Sequence, residues 1–170
     1  EIPVRQRLAT FERYGGIPRP LGIVATGAAR LLDLHPDGKS FLRGRDRALE
    51  LVNLADRTVQ RTFPLPDGWS DATFTNEGKR ILALTTGDRA ALLVLDLDGT
   101  EKVRHPLPFG PRQVLLDPRA GVVLLLAPER RELAVCRYNE PMPTWQRQPV
   151  AGDEPVEGLS LGPDGEVYLV

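Results

Sequence analysis

The chain has 170 residues, about the size of one domain, with 41% hydrophobic and 26% charged residues, as is ordinary for a soluble globular protein. The formal net charge of −1 argues against general binding to nucleic acids or anionic membranes, and no stretch approaches the ~18 apolar residues of a membrane span. The single cysteine, Cys136, excludes an internal disulfide and fits a reducing compartment, so a cytoplasmic location is favoured.

Two short segments within residues 1–27 predict strands. They cover residues 6–11 and 21–25, on either side of a turn region that contains Gly15, Gly16 and Pro18. We expect them to be the last two strands of a four-stranded unit. The C-terminal segment would supply the first two strands of that unit.

Three complete units follow, at residues 28–68, 69–110 and 111–152. Each contains four short apolar or alternating segments between turns rich in Gly, Pro, Asp and Asn, which is the pattern of antiparallel strands. In the first unit the turns are residues 35–39, 44–47, 55–57 and 64–68. The predicted strands of the three units are 30–34, 40–43, 49–54, 58–63; 72–74, 80–84, 91–97, 101–105; and 113–116, 122–126, 132–136, 144–148.

A partial unit at residues 153–170 has predicted strands at 158–161 and 167–170. Its last strand runs to the end of the sequence, and an unpaired strand edge favours aggregation. We therefore expect the edge to be covered by the N-terminal strands, by missing sequence or by another chain.

The units repeat with a period typical of β-propeller blades. Equivalent turn positions at Pro36, Asn76, Pro118 and Pro163 are 40, 42 and 45 residues apart. The sequence therefore predicts an all-β fold made of blades of four antiparallel strands. The ring would contain about four blades or be part of a larger ring.

Particular residues resemble the WD40 and YVTN-type propeller superfamily. These are Pro36-Asp37-Gly38-Lys39 after an innermost strand and the third-strand triplets at 52–54 and 95–97, and the resemblance covers roughly residues 28–170. The chain has neither a Trp-Asp nor a Gly-His dipeptide, so the resemblance is to the looser, YVTN-like or degenerate class.

No catalytic motif stands out, and we expect neither a metal nor a cofactor. The two histidines, His35 and His105, fall at non-equivalent positions, where a turn role and a strand-end role are favoured. Asp37, Glu77 and Asp164 occupy equivalent turns, which favours a requirement of the fold over paired catalytic acids.

Propeller geometry indicates where a binding site would lie. Loops that enter the innermost strands and loops that join second to third strands share one face, which collects residues from every blade. Trp69, in a predicted Gly-Trp-Ser loop, would be either a contact hot spot or, as favoured, a residue packed over the blade edge. The candidate binding residues on this face are Trp69, Asp71, Arg45, Arg89, Arg112 and Arg130.

Three functions are compatible with these residues. The first is a non-catalytic scaffold that binds protein partners through the loop face, which the missing motifs and the near-zero charge favour. The second is a propeller enzyme or small-ligand sensor with its site in the central channel. The third is phosphopeptide binding, which requires Arg45, Arg89 and Arg130 to converge.

Overall fold

The computed structural model describes most of the chain, and its regular elements are strands. The described residues are 8–11, 20–24, 29–110, 113–117, 121–127, 129, 131–139, 144–150, 159–161 and 167–169. They form sixteen β-strands. Within these ranges no helix has the length and apolar character that a membrane crossing requires.

The strands are short and evenly spaced, as the turn signals predict. Their bounds are β1 Leu8–Phe11, β2 Pro20–Val24, β3 Arg30–Leu34, β4 Ser40–Arg45, β5 Ala48–Asn53, β6 Val59–Pro64, β7 Trp69–Phe74, β8 Arg80–Thr85, β9 Ala91–Asp96, β10 Glu101–Pro106, β11 Gln113–Asp117, β12 Val122–Ala127, β13 Glu132–Arg137, β14 Trp145–Pro149, β15 Leu159–Leu161 and β16 Val167–Leu169.

Consecutive strands pair into three four-stranded antiparallel sheets, which confirms the predicted blades. The first blade is β3–β6, the second β7–β10 and the third β11–β14. β1 pairs with β2 and β15 with β16 as two separate two-stranded sheets. The joining of these two pairs into one blade stays a prediction.

Two predicted loops are wrong, because strand pairing extends further than the polar residues indicate. Gly44 and Arg45 belong to β4, where they pair with Leu49 and Ala48, so the turn contains only residues 46–47. Residues 69–71 belong to β7, not to a loop. Trp69 and Asp71 are therefore held by the sheet instead of projecting from a flexible segment.

The core lies between the blades, because each blade is apolar on both faces. One buried cluster joins the first blade to the second, with Phe63 and Phe74 among its largest side chains. Another joins the second blade to the third and contains the buried Cys136, which behaves as the expected small hydrophobic residue. The alternation along β8 shows the two-sided burial, since Ile81 and Ala83 join the first cluster and Leu82 and Leu84 the second.

The faces of the first and third blades that point away from the second blade are also buried. Phe41 and Val52 are covered on the first blade, and Leu124 and Leu126 on the third. The innermost strands β3, β7 and β11 lie side by side at the centre, and β15 lies next to β11. The innermost strands thus approach one another around a common axis, as propeller geometry requires.

A carboxylate on an innermost strand joins the first blade to the second. One oxygen of Asp33 accepts hydrogen bonds from the Thr73 hydroxyl at 2.5 Å and from the Phe74 backbone N–H at 3.0 Å. Its other oxygen accepts from the Leu34 N–H at 2.8 Å. The side chain therefore satisfies backbone donors of both blades at a half-buried position.

Substituting Asp33→Ala is expected to destabilise the fold by about 1–3 kcal/mol, because the N–H of buried Phe74 loses its acceptor. Urea unfolding followed by circular dichroism measures the change. The control is Asp88→Ala, an exposed residue of the β8–β9 loop, which should change stability by no more than about 0.5 kcal/mol. Equal stabilities of the two variants would contradict the role of Asp33.

Candidate functional site

A cavity of about 410 Å³ lies at the centre of the loop face, where the three complete blades meet. The first blade contributes Arg30 and the third Val114. The second blade contributes Ser70 and Asp71, the β8–β9 connection and the segment that follows β10. The full lining is Arg30, Ser70, Asp71, Thr85, Thr86, Gly87, Ala90, Leu107, Gly110 and Val114.

Arg30 brings a charged group to this cavity from the start of β3. Its Nη1 donates a hydrogen bond to the Ser70 carbonyl at 2.9 Å, and its Nη2 lies 3.8 Å from Asp71 Oδ1. The guanidinium carbon lies 5.9 Å from the centre of the Trp69 ring, within the range of a cation–π contact. Three contacts with the second blade thus fix a side chain that is 53% exposed.

Trp69 packs over the edge of the first blade. Its Nε1 donates to the Asp46 carbonyl at 3.1 Å, and its six-membered ring lies on Gly44. A Cβ atom at Gly44 would lie 2.0 Å from Trp69 Cζ2, so only glycine leaves space for the ring. These contacts agree with the expectation that Trp69 packs over the blade edge. The half-buried ring also lies against the guanidinium of Arg30 beside the cavity.

Substituting Gly44→Ala should displace the Trp69 ring and destabilise the fold by about 1–3 kcal/mol, the usual cost of overpacking. The displaced indole should also show red-shifted fluorescence, because it enters water. Gly110→Ala is the matched control, since a Cβ atom there meets nothing within 4 Å. An unchanged emission spectrum of the Gly44 variant would show that the ring is not held by this contact.

Asp71 is the carboxylate of the cavity. Burial raises the pKa of its carboxyl above the ordinary 3.8, against the opposing hydrogen bond from the Ala72 N–H and the charge of Arg30. The carboxylate of Asp33 adds to the rise. The neutral form of Asp71 is therefore easier to populate than that of an ordinary aspartate.

Asp71→Asn should raise the melting temperature at pH 7, because the ionised Asp71 is less stable folded than unfolded. This cost is complete above the raised folded-state pKa and vanishes below the ordinary value of 3.8. The difference between variant and wild type should therefore shrink as pH falls towards 3.8, which calorimetry at several pH values measures. The difference in melting temperature should stay below roughly 2–4 °C, the effect of 1 kcal/mol in such a domain. It is small because Asp71 is 36% exposed and solvent screens its charge. A variant that loses stability relative to wild type as pH rises would contradict this.

The structure does not bring all the predicted site residues together. Asp71 lines the cavity and Trp69 lies beside it. Arg45, at the end of β4, and Arg89, in the β8–β9 loop, are exposed and do not line the cavity. Arg45 lies 3.8 Å from Asp46. Arg112 and Arg130 lie outside the described residues.

Sequence reasoning missed Arg30, although the repeat contains a signal for it. Arg30 lies 40 residues before Ser70, which is the spacing between the first two blades. Arg30 and Ser70 thus lie near the starts of the innermost strands of neighbouring blades, at the same end of those strands. Arg30 is the first residue of the innermost strand β3 and not part of an entering loop, so the loop-face criterion does not select it.

The two histidines serve packing between blades. His35 lies edge-on to Phe74 of the second blade, and its Nε2 lies 2.9 Å from the Gly78 carbonyl. His105 stacks on Trp145 of the third blade at 5.6 Å between ring centres. In the part of the chain that the structure describes, no three His, Cys, Asp or Glu side chains are grouped as a metal ion would require.

A second, larger groove of about 770 Å³ lies on the opposite face, between the second and third blades. Its charges are largely paired with one another. Glu77 contacts Lys79 at 2.8 Å, and Asp96 contacts both Arg80 and Lys102.

The turn acids have the expected structural role in part, since Asp37 accepts the Lys39 N–H at 2.7 Å. Asp164 lies outside the described residues.

Comparison with known proteins supports the fold. No protein-family model matches the chain, and no curated protein matches it. Solved structures do match. Dihydro-heme d1 dehydrogenase NirN is 18% identical with a TM-score of 0.64, and the match covers 88% of this chain and 34% of NirN.

Two further solved structures match over most of this chain. Hydrazine synthase of Kuenenia stuttgartiensis is 18% identical with a TM-score of 0.57, over 89% of this chain and 46% of that one. The β-propeller domain of Cps50 (Swd1) from Myceliophteria thermophila is 15% identical with a TM-score of 0.56, over 83% and 50%. The chain thus spans half or less of the length of these neighbours, and it shares the fold of β-propeller proteins.

Proposed function

We propose that this chain is a binding module of the β-propeller type that engages a protein partner on its loop face, centred on the cavity at the channel mouth. The observation that carries the proposal is the Arg30–Trp69–Asp71 cluster, which residues of two blades assemble and a third blade borders. Its parts are fixed before any partner arrives, and preorganisation lowers the entropy cost of binding. We also propose that the repeats of this chain belong to the looser, YVTN-like class.

Exposed arginines on the loop face support a protein partner. Arg45 ends β4 and Arg89 lies in the β8–β9 loop, so both lie where the second strand of a blade leads into the third. Arg130 holds the corresponding place in the sequence of the third blade. Arginine is enriched at interfaces because its fork donates to several acceptors and its stem buries apolar surface. A partner that spreads over the loop face would contact Arg45 and Arg89, and the proposal includes Arg130 by its place in the sequence.

The test is capture of partners from a lysate of the source organism, followed by affinity measurement with the purified partner. Trp69→Ala should weaken binding about 30-fold or more if the ring is a hot spot, since such truncations cost about 2 kcal/mol. The triple variant Arg45→Ala, Arg89→Ala, Arg130→Ala should bind the partner more weakly, and its affinity should depend less on the salt concentration. Circular dichroism of each variant verifies that the fold is retained.

The matched control is another triple alanine variant with one arginine on the outermost strand of each blade. These are Arg61 on β6, Arg104 on β10 and Arg147 on β14, all exposed. This variant should bind the partner as wild type does. Equal binding by all three variants would remove the loop face from consideration.

A small-ligand sensor or propeller enzyme is the second candidate, and Asp71 is the observation that favours it. A half-buried carboxylate with a raised pKa beside an arginine in a cavity is typical of ligand-binding and catalytic sites. NirN and hydrazine synthase, whose names denote enzymes, have the same kind of fold. Turnover of a small molecule by the purified chain, lost in Asp71→Asn, with no partner captured, would favour this candidate.

A further inference from the structure

Among the residues that the structure describes, the Arg30 guanidinium uses few of its N–H donors. Only Nη1 makes a hydrogen bond among the described residues, to the Ser70 carbonyl. The separation of 3.8 Å between Nη2 and Asp71 Oδ1 is beyond hydrogen-bond range. The guanidinium therefore keeps N–H groups for a ligand while its position is fixed by Ser70 and Trp69.

The other walls of the cavity define what could reach those donors. Leu107, Ala90 and Val114 are the apolar side chains of its lining, and Gly110 adds backbone without a side chain. Thr85 and Thr86 are not available, since their hydroxyls bond to Ala91 and to the Asp67 carbonyl. A ligand group that fits has a short apolar stem and an end that accepts hydrogen bonds from arginine.

Asp71 limits the charge of that ligand. It borders the cavity beside Arg30, and its Oδ1 accepts the Ala72 N–H at 3.0 Å. With Asp71 ionised, the Arg30–Asp71 pair carries no net charge, so it gives a dianion such as a phosphate ester no net electrostatic advantage over a single carboxylate. A protonated Asp71 can in addition donate a short O–H···O⁻ hydrogen bond to a carboxylate ligand.

We infer that the cavity binds the carboxylate of a glutamate or aspartate side chain of the partner, with Arg30 as its principal donor. The inference rests on the proposed function and specifies what the loop face recognises. The carboxylate accepts from the free N–H groups of Arg30, and its methylene stem packs against Leu107 and Val114. Trp69 positions the guanidinium from below without contacting the ligand.

The experiment uses the whole chain labelled with ¹⁵N and three blocked amino acids as probes. These are glutamate, glutamine and phosphoserine, each N-acetylated and with its main-chain carboxyl amidated. The chain has two tryptophans, so Trp69 and Trp145 give two indole N–H signals, which Trp145→Phe assigns. Trp69 reports on the cavity, whereas Trp145 lies on β14 and donates to the Pro106 carbonyl.

Blocked glutamate should shift the Trp69 indole signal to saturation and leave the Trp145 signal unchanged. Blocked glutamine should bind at least about tenfold more weakly, because a charge-assisted hydrogen bond to arginine is lost. Blocked phosphoserine should bind no more tightly than glutamate. Equal response to glutamate and glutamine, tighter phosphoserine binding, or no Trp69 response to any probe would each overturn the inference.

Variants of the chain distinguish ligand binding through Arg30 from attraction to the positive charge of the surface in general. Arg30→Gln should abolish the preference for glutamate over glutamine, and Asp71→Asn should tighten glutamate binding several-fold by removing the opposing charge. Arg61→Gln is the matched control, because Arg61 also donates through Nη1 to a carbonyl of the next blade, that of Asp98, but lies on β6, outside the cavity lining. Retention of glutamate preference by Arg30→Gln would overturn the inference.

The outcomes distinguish this inference from the proposed function. If partner binding depends on the loop face but blocked glutamate does not move the Trp69 signal, the carboxylate site is wrong and the binding module stands. If glutamate binds through Arg30 but partner capture ignores the loop-face variants, the site is that of a small carboxylate ligand. In that case the proposed protein partner is wrong.

Discussion

The burial of both faces of every four-stranded sheet is the constraint on which the rest of the structure depends. A sheet such as β7–β10 is apolar on each side, so it is stable only between two neighbours, and the sheets must be arranged around an axis. The innermost strands then meet at the centre, where polar groups such as Asp33 satisfy the donors of the adjoining strand. A channel mouth bordered by several sheets follows from packing before any function is considered.

The site at that mouth depends on the same contacts that hold the blades together. Arg30 reaches the second blade through the Ser70 carbonyl, and Trp69 reaches back to the first blade through the Asp46 carbonyl. Two opposed hydrogen bonds thus join the first two blades at this boundary. Residues that border the cavity, Arg30 and Ser70 among them, therefore also hold these two blades together.

Much of the fold could be predicted from the sequence, because period-2 alternation and turn residues are local signals. The apolar run at 91–97 and the Asp98-Gly99 turn gave β9 and its hairpin to β10 almost residue by residue. The candidate site was harder to predict. The sequence predicts that Trp69 and Asp71 lie in a loop. Their pairing with β8 depends on a strand distant in sequence, which local patterns do not reveal.

Trp69 spans the boundary between two blades, with its indole N–H bonded to one blade and its backbone in the other. Any rotation of the first blade against the second must therefore move the aromatic ring and the guanidinium that rests on it. Under the proposed function, a ligand that binds better at one angle between the blades is linked thermodynamically to that angle. Such a ligand strengthens the boundary, and opening of the boundary weakens the binding of the ligand by the same free energy.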